Sequence, residues 1–345
     1  MTEKKPKKDV KPKEIDKMLS DQFDTQIAAA LNYYLADFVD LSDEEQDVEV
    51  DSGLKDGDNS MYEELFKSAQ GGKFLRGKML IDVAMSDIRN KNLSEDLQLE
   101  YYEAVFQAAV ALELFQTSML VHDDIIDEDP QRRGRPSSFL SLGPKRALLL
   151  GDLLLCAADN TLDDAIMQLQ EVEDYGFVNL GVCNEIRSAW SIMKRNVLIG
   201  QALDFKLGKT KLDELSDEEL EDLSMLAFNV MRLKTASYTT IAPYIIGKLI
   251  STNAYVESDD SQLIEAEVMG TLFQIGNDIE GLEKDLESGN ISCALAVAYA
   301  ESGVDDRERI NECMTAGSKI SAPDLEWLKS CIARKFGEQE SINNS

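Results

Sequence analysis

A long apolar segment that ends in a block of opposite charges is the feature that most constrains this chain. Residues 101–127 are rich in Ala, Val, Leu and Phe, and they are long enough to form a buried helix. On such a helix, Asp123 and Asp127 lie one above the other on a single face. The charged block at its end consists of Asp123, Asp124, Asp127, Arg132, Arg133 and Arg135.

The chemistry of this block indicates an anionic ligand that carries a metal ion. Stacked carboxylates supply the oxygen ligands that Mg²⁺ prefers, and Mg²⁺ bridges to phosphate oxygens. The guanidinium groups of arginine present forked donors that match the geometry of a diphosphate. The block therefore predicts a site for a Mg²⁺-diphosphate substrate.

The rest of the chain favours an all-α fold. Among 345 residues there are only 7 Pro and 20 Gly, and helical periodicity recurs from about residue 15 to about residue 335. We find neither an alternating strand pattern nor a hairpin signal. We predict a single large helical bundle over residues 14–336, preceded by a disordered basic tail (1–13) and followed by a frayed polar tail (337–345).

Two helix starts can be placed from capping residues. Ser94 precedes Glu95 and Asp96, which places acidic side chains in a first helical turn, where the helix dipole favours them. Ser216 and Glu219 form a capping-box pattern that begins another helix directed toward Lys234.

Charge and cysteine usage exclude several classes of partner. The formal net charge of −30 argues against nucleic acid and against an anionic membrane surface; it fits either a salt-rich cytosol or merely acidic loops. The five cysteines are scattered without a C-x-x-C pattern, which indicates reduced thiols in a cytoplasmic protein. No uncharged apolar run approaches about 18 residues, so no transmembrane segment is expected, and the basic start is unlike a signal peptide.

Further motifs follow one another along the chain. Lys73 and Arg76 fall three apart on one helical face, which fits a second anion site, although such a string alone equally fits a helix start with two exposed cations. The motifs, in order, are Gly71-Gly72-Lys73-x-x-Arg76, the aspartate block, Gly151-Asp152, Gly200-Gln201-x-x-Asp204, Lys234-Thr235 and Phe273-Gln274-x-x-Asn277-Asp278.

With these motifs in this order, the chain resembles the trans-isoprenyl diphosphate synthase family over roughly residues 60–300. The resemblance implies helices around a central substrate cavity, Mg²⁺ as cofactor, and condensation of isopentenyl diphosphate with an allylic diphosphate. It also implies a homodimer, or a heteromer with another synthase subunit.

The resemblance also implies roles for individual residues. Those expected to bind isopentenyl diphosphate are Lys73, Arg76, Gln116 and Arg133. Those expected to hold Mg²⁺ are Asp123 and Asp127, supported by Asp124. Those expected to contact the allylic substrate and stabilise its ionisation are Arg132, Lys234, Thr235 and Gln274. Asp123, Asp127 and Lys234 would act where negative charge grows on the departing diphosphate, so we expect them to be catalytic.

The chain departs from the family pattern at its second acidic motif, where Asn277 and Gly281 replace two carboxylates, and Asn290 stands where a downstream lysine is usual. Three interpretations remain open. Asn277 and Asp285 share a helical face and could hold one Mg²⁺, as in terpene cyclases. The second site could be silent, which would make the chain a catalytically impaired partner or regulatory subunit. A terpene cyclase is the third. Phe74 also replaces a residue that is often basic.

Product length is expected to depend on the residues that precede Asp123. Ser118 is small and should leave the pocket open below the metal, whereas Phe115, one turn deeper, should form its floor. This arrangement favours a product of geranylgeranyl size or slightly longer. The residues predicted to face the cavity are Met119, Ser118, Phe115, Ala111 and Leu112.

Overall fold

The computed structural model describes residues 21–33, 60–91, 93–173 and 180–343. These residues are helical almost throughout, which confirms the predicted all-α class. The chain divides into two compact units, Met1–Cys183 with Ile250–Asn253, and Asn184–Leu249 with Ala254–Ser345. The predicted basic tail (1–13) lies outside the described residues. Toward the other end, the last helix continues to Asn343, past the predicted domain end at residue 336.

The first unit contains the aspartate block. Its elements are α1 (21–33), α2 (Ser60–Ala69), α3 (Leu75–Asn90), α4 (Glu95–Ile126), β1 (Gln131–Arg132), β2 (Arg135–Pro136), α5 (Ser138–Leu142) and α6 (Pro144–Glu173).

The second unit contains the later motifs. Its elements are most of α7 (Leu180–Leu207), a 3-10 turn (Leu212–Glu214), α8 (Asp217–Val230), a π-helical segment (Met231–Ile241), most of α9 (Ala242–Thr252), α10 (Ser261–Ser288), α11 (Cys293–Ala300), α12 (Val304–Ala316), a second 3-10 turn (Gly317–Lys319) and α13 (Ala322–Asn343).

Helix α4 forms the centre of the first unit and begins where the sequence predicts. The Ser94 hydroxyl accepts a hydrogen bond from the Leu97 N–H at 3.3 Å, and Glu95 and Asp96 occupy the first turn. Among the described helices, α4 alone is long and apolar enough to cross a bilayer, but 78% of its most apolar window is buried inside the protein. Its apolarity is therefore that of a core helix.

A short β-hairpin follows α4, which the sequence did not predict. Gln131 pairs with Pro136, and Arg132 pairs with Arg135. The two turn residues, Arg133 and Gly134, both have positive φ (53° and 75°), as in the tight turns that suit the twist of a hairpin. Strands of two residues are too short to show an alternating pattern.

In the second unit, two glycines allow helices to approach the π-helical segment closely. A Cβ at Gly200 of α7 would lie 2.3 Å from the Lys234 N. A Cβ at Gly270 of α10 would lie 2.6 Å from the Ala236 Cα. The capping box at Ser216 and Glu219 is present as predicted, and it begins α8, which continues into the π segment. Short π-helical stretches occur frequently at functional sites, and this one contains Lys234 and Thr235.

Candidate active site

The aspartates at the end of α4 do not share one environment. Asp123 is half-buried and Asp127 is exposed, whereas Asp124 is only 2% exposed. Asp127 ends the helix in a helical conformation, and its N–H donates to the Asp123 carbonyl at 2.9 Å. Asp123 and Asp127 therefore lie on one accessible face, as the sequence predicts.

Asp124 points away from this face and binds the hairpin. The Arg132 Nε donates to the Asp124 Oδ1 at 2.8 Å, and the Arg132 Nη2 donates to the same oxygen. Burial raises the pKa of Asp124, and the hydrogen bond and charge of Arg132 partly oppose that rise. The role of Asp124 as a supporting metal ligand stays a prediction. In the structure its carboxylate binds Arg132, which was itself predicted to contact the allylic substrate.

Asp123 and Asp127 could supply only part of the oxygen ligands around a Mg²⁺ ion. Within the described ranges, no group of three or more His, Cys, Asp or Glu side chains is arranged to hold a metal ion. Mg²⁺ requires few protein ligands, since it keeps several waters and is commonly bound by one or two carboxylates together with substrate phosphates. The carboxylates of Asp123 and Asp127 match that pattern.

The glycine-rich loop before α3 is held by an aromatic anchor. Phe74 has φ 50° and is 3% exposed, and its ring stacks on Phe23 at a centroid distance of 5.0 Å. The ring at this position, where a basic residue is common, thus packs into the core. Lys73 remains exposed beside it, and Arg76 lies buried in the first turn of α3.

The hairpin contributes Arg133 to the same region. Its Nη1 donates to the Gln70 carbonyl at 2.7 Å, and a Cβ at Gly72 would lie 3.4 Å from its Nη2. Burial lowers the pKa of Arg133, and repulsion from Arg135 adds to that effect. The structure therefore brings Arg133 next to the glycine-rich loop, as expected for residues that share one diphosphate.

Glu113 is a residue that the sequence analysis missed. It is 3% exposed, and its Oε1 accepts a hydrogen bond from the Gly77 N–H at 2.8 Å. The electrostatic fields of Arg76 and Arg133 both act on it. A signal was available, because Glu113 is the one charged residue within the apolar stretch 104–122.

The small residue below the aspartates makes a contact with the backbone of α6. Ser118 is fully buried, and its hydroxyl donates to the Gly151 carbonyl of α6 at 2.7 Å. Gly151 is also required for packing, since a Cβ there would lie 2.3 Å from the His122 Nε2. Phe115, one turn deeper, is fully buried as well.

The other residues predicted to line the product cavity differ in their burial. Ala111 and Leu112 are fully buried, and Met119 is half-buried on the side of α4 that carries Asp123. Gln116, predicted to bind isopentenyl diphosphate, is half-buried one turn before Met119. A cleft borders α4 through different residues, which are Thr117, Leu120, Val121 and Asp124.

In the second unit, three predicted residues take part in two side-chain hydrogen bonds. The Lys234 Nζ donates to the Asp204 Oδ2 at 2.6 Å, which joins two motifs that are 30 positions apart. The Thr235 hydroxyl donates to the Gln274 Oε1. These two hydrogen bonds attach the π-helical segment to α7 through Lys234 and to α10 through Thr235.

Asp278 of the degenerate second motif is turned into the protein. It accepts hydrogen bonds from the Gln274 Nε2 at 2.6 Å and from the Ala294 N–H at 2.8 Å, so it caps the first turn of α11. Burial raises its pKa to about 6. On the outer face of α10, Asn277 is exposed and Asp285 is half-buried, and a Cβ at Gly281 between them would lie 4.0 Å from the Asp285 Oδ2. Asp278 thus has a structural role.

Asn290 stands where the resemblance leads one to expect a lysine, and it binds a lysine from elsewhere. The Lys209 Nζ, just after α7, donates to the Asn290 Oδ1 at 2.8 Å. The Ile291 N–H donates to the Gly208 carbonyl at 3.3 Å, which fixes the two loops together. A cationic group is therefore present beside this position although the residue itself is neutral.

Comparison with known proteins identifies the family. Residues 59–322 match the family model described as polyprenyl synthetase. The chain belongs to this family. The membership confirms the predicted relationship to trans-isoprenyl diphosphate synthases, which are prenyltransferases.

Curated relatives in the polyprenyl synthetase family include archaeal enzymes. The geranylgeranyl diphosphate synthase of Sulfolobus acidocaldarius is 32% identical over 62% of this chain and 56% of its own length, so that alignment spans little more than half of the relative. The geranylgeranyl diphosphate synthase of Saccharolobus solfataricus is 30% identical over 76% of this chain and 73% of its own length. The geranylfarnesyl diphosphate synthase of Methanosarcina mazei is 27% identical over 82% of each chain.

Solved structures of family members share the fold. A geranylgeranyl pyrophosphate synthase from Corynebacterium glutamicum, complexed with isoprenyl diphosphate and magnesium, aligns with a TM-score of 0.65 and 25% identity over 93% of this chain and 88% of that chain. Farnesyl diphosphate synthase from T. brucei aligns with a TM-score of 0.67 over 94% and 89%; at 16% identity it supports the fold alone.

Proposed function

We propose that this polyprenyl synthetase condenses isopentenyl diphosphate with an allylic diphosphate in a Mg²⁺-dependent reaction. The observation that carries the proposal is the accessible pair Asp123 and Asp127 at the end of α4. The neighbouring hairpin adds Arg133, which lies against the glycine-rich loop. A carboxylate pair beside a cationic loop suits two diphosphates, one held through metal and one held directly.

In this proposal, Asp123 and Asp127 hold Mg²⁺, which supplies positive charge where the allylic C–O bond breaks and negative charge grows. Lys234, oriented by Asp204, supplies a further cation toward the allylic diphosphate. Thr235 and Gln274 add polar contacts to it. The residues proposed to bind isopentenyl diphosphate are Lys73, Arg76, Gln116 and Arg133.

The proposed product is geranylgeranyl diphosphate or a slightly longer chain. Two of the relatives described above are named geranylgeranyl diphosphate synthases, and one is named a geranylfarnesyl diphosphate synthase. Met119 is half-buried on the side of α4 that carries Asp123, and Phe115 is the large ring one turn deeper. A prenyl chain that grows along this face would meet Phe115 after Met119.

The direct test is extension by the purified chain alone. Labelled isopentenyl diphosphate is supplied with Mg²⁺ and, separately, with dimethylallyl, geranyl or farnesyl diphosphate, and product length is read by chromatography after dephosphorylation. We expect Mg²⁺-dependent extension that ends at geranylgeranyl size or one unit beyond. Absence of extension with every primer contradicts the proposal, and hydrocarbon formed without isopentenyl diphosphate would indicate a cyclase.

A second candidate function is a non-catalytic partner of an active synthase. The burial of Asp278 favours it, because it removes a carboxylate from the accessible face of the second motif, where position 277 is a neutral Asn. A partner of this kind would show no extension alone, and it would change the rate or product of a family enzyme added to it.

We propose a homodimer for the active enzyme, which light scattering on the purified chain would test.

A further inference from the structure

Glu113 presents a physical problem that the proposed site does not yet explain. It is a carboxyl group in the core of the first unit, 3% exposed, on the helix that carries the aspartates. Burying such a group is costly unless it is paired and hydrogen-bonded. Burial is the main influence on the pKa of Glu113 and raises it, while Arg76, the Gly77 N–H and Arg133 act in the opposite direction.

The hydrogen bond to Gly77 fixes the start of α3. The Gly77 N–H donates to the Glu113 Oε1 at 2.8 Å, across 36 positions of sequence. The helices are already close here, because a Cβ at Gly77 would lie 2.6 Å from the Phe23 ring and 3.3 Å from the Ala109 carbonyl. The peptide that joins Arg76 to Gly77 is thus attached to α4 at the position of Glu113.

The two arginines around Glu113 come from separate elements. Arg76 belongs to the first turn of α3, and Arg133 belongs to the turn of the hairpin. Repulsion from Arg135 and Arg132 acts on Arg133, and Glu113 offsets it. The negative charge of Glu113 thus acts on both guanidinium groups, one from each element.

We propose that Glu113 is a positioning residue for the isopentenyl diphosphate site. Its carboxylate holds the first turn of α3 through Gly77 and offsets the repulsion that Arg135 and Arg132 exert on Arg133, so that Arg76 and Arg133 are arranged for one diphosphate before it binds. This inference rests on the proposed function. It concerns one of the two substrates only, because the arginines on which Glu113 acts, Arg76 and Arg133, are both proposed to bind isopentenyl diphosphate.

The test compares Glu113→Gln with a matched control on the same helix. Glutamine keeps the shape and an acceptor for Gly77 but removes the charge. The control is Thr117→Val, which removes another buried polar group one turn later, whose hydroxyl donates to the Glu113 carbonyl at 2.9 Å. Isopentenyl diphosphate binding is measured by calorimetry without the allylic substrate, and both KM values and kcat are measured by extension.

We expect Glu113→Gln to weaken isopentenyl diphosphate binding and to raise its KM roughly tenfold, the effect of losing one charge-assisted interaction. The KM for the allylic substrate should change less than about twofold, since other residues hold it, and Thr117→Val should leave both values as they are. Glu113→Asp, which keeps the charge, should recover part of the loss.

Three results would overturn the inference. They are unchanged isopentenyl diphosphate binding in folded Glu113→Gln, an equal rise of both KM values, and a loss in Glu113→Asp as large as in Glu113→Gln. If Glu113→Gln does not fold, the comparison of Glu113→Asp with the natural chain decides, with a rise in the isopentenyl diphosphate KM alone as the supporting result. Failure of the natural chain to bind isopentenyl diphosphate overturns this inference. Binding without extension refutes only the proposed reaction.

Discussion

Arg132 donates through two of its nitrogens to one oxygen of Asp124, which is buried under the hairpin that follows α4. The three aspartates of the motif are therefore divided between two tasks. Asp123 and Asp127 remain on the accessible face, and Asp124 attaches the arginine-bearing hairpin to the end of the helix. Substitutions at these positions should separate stability from metal dependence.

Replacing Asp124 should affect stability more than metal use. Asp124→Asn removes the nearer of two carboxylates that pair with Arg132 and leaves only Asp129, whose Oδ2 lies 3.5 Å from the Arg132 Nη2. The loss should lower the free energy of unfolding by about 2 kcal/mol, after allowance for the partial exposure of Arg132. Urea denaturation measures this loss. The Mg²⁺ concentration that gives half-maximal extension should change far less than in variants of Asp123 or Asp127, because the Asp124 carboxylate binds Arg132. A stable variant with a greatly increased Mg²⁺ requirement would contradict the assigned task.

Replacing Asp123 or Asp127 should have the opposite effect. Asp123→Asn and Asp127→Asn each remove a charged oxygen ligand from an accessible position. The free energy of unfolding of each variant should therefore stay within about 0.5 kcal/mol of that of the natural chain. Extension should fall by roughly 100-fold or more, because the cation that offsets the departing diphosphate is held less well. Titration of Mg²⁺ in the extension assay provides the measurement. Natural activity in both variants would exclude the aspartate pair as the metal site.

Asp278 should make stability depend on pH. Its folded-state pKa of about 6 lies above the ordinary value of 3.8, so its protonated form is favoured in the folded state. The stabilisation that this proton gives is complete below the pKa of Asp278 in the unfolded chain, and it is lost as pH rises through about 6. Between about pH 5 and about pH 7 the loss is on the order of 1 kcal/mol. Asp278→Asn cannot titrate, so urea denaturation should show a smaller loss over this range in the variant. Equal losses would refute the assignment.

Two glycines of α10 offer a matched comparison of packing. A Cβ at Gly270 would lie 2.4 Å from the Thr240 Oγ1 and 2.6 Å from the Ala236 Cα, whereas Gly276 has open space. Gly270→Ala should therefore destabilise the protein by about 2 kcal/mol through overpacking. Gly276→Ala should stabilise it by up to about 1 kcal/mol, since alanine favours a helix. Thermal unfolding of the two variants checks the prediction, and a similar effect at both positions would disprove close packing on the π segment.

Phe115 should influence product length. Phe115→Ala removes a large ring one turn below the half-buried Met119, so the product distribution should move toward longer chains, with a stability loss of about 3–5 kcal/mol. Phe106→Ala is the control, because it also removes a buried ring from α4, at a position more than two turns farther from Asp123. Chromatography of the products decides. The same distribution of product lengths in both variants would show that Phe115 does not form the floor of the product pocket.

The sequence was sufficient to predict what depends on local pattern. The all-α class, the start of α4 after Ser94 and the capping box at Ser216 follow from periodicity and from side chains that bond to nearby backbone. The position of Asp123 and Asp127 on one face of α4 follows from helical spacing alone.

What the sequence could not predict depends on long-range partners. The burial of Asp124 and of Asp278 is determined by Arg132 and by the Ala294 N–H, which no spacing within either motif specifies. Glu113 was missed for the same reason, since its partners lie in α3 and in the hairpin.

The hydrogen bond from Ser118 to the Gly151 carbonyl bears on any redesign of chain length in this enzyme. A ring introduced at position 118 would first meet the backbone of α6, and only then any growing hydrocarbon. Shorter products would therefore require compensating changes on α6 as well, whereas enlarging Met119, on the side of α4 that carries Asp123, leaves that helix contact undisturbed.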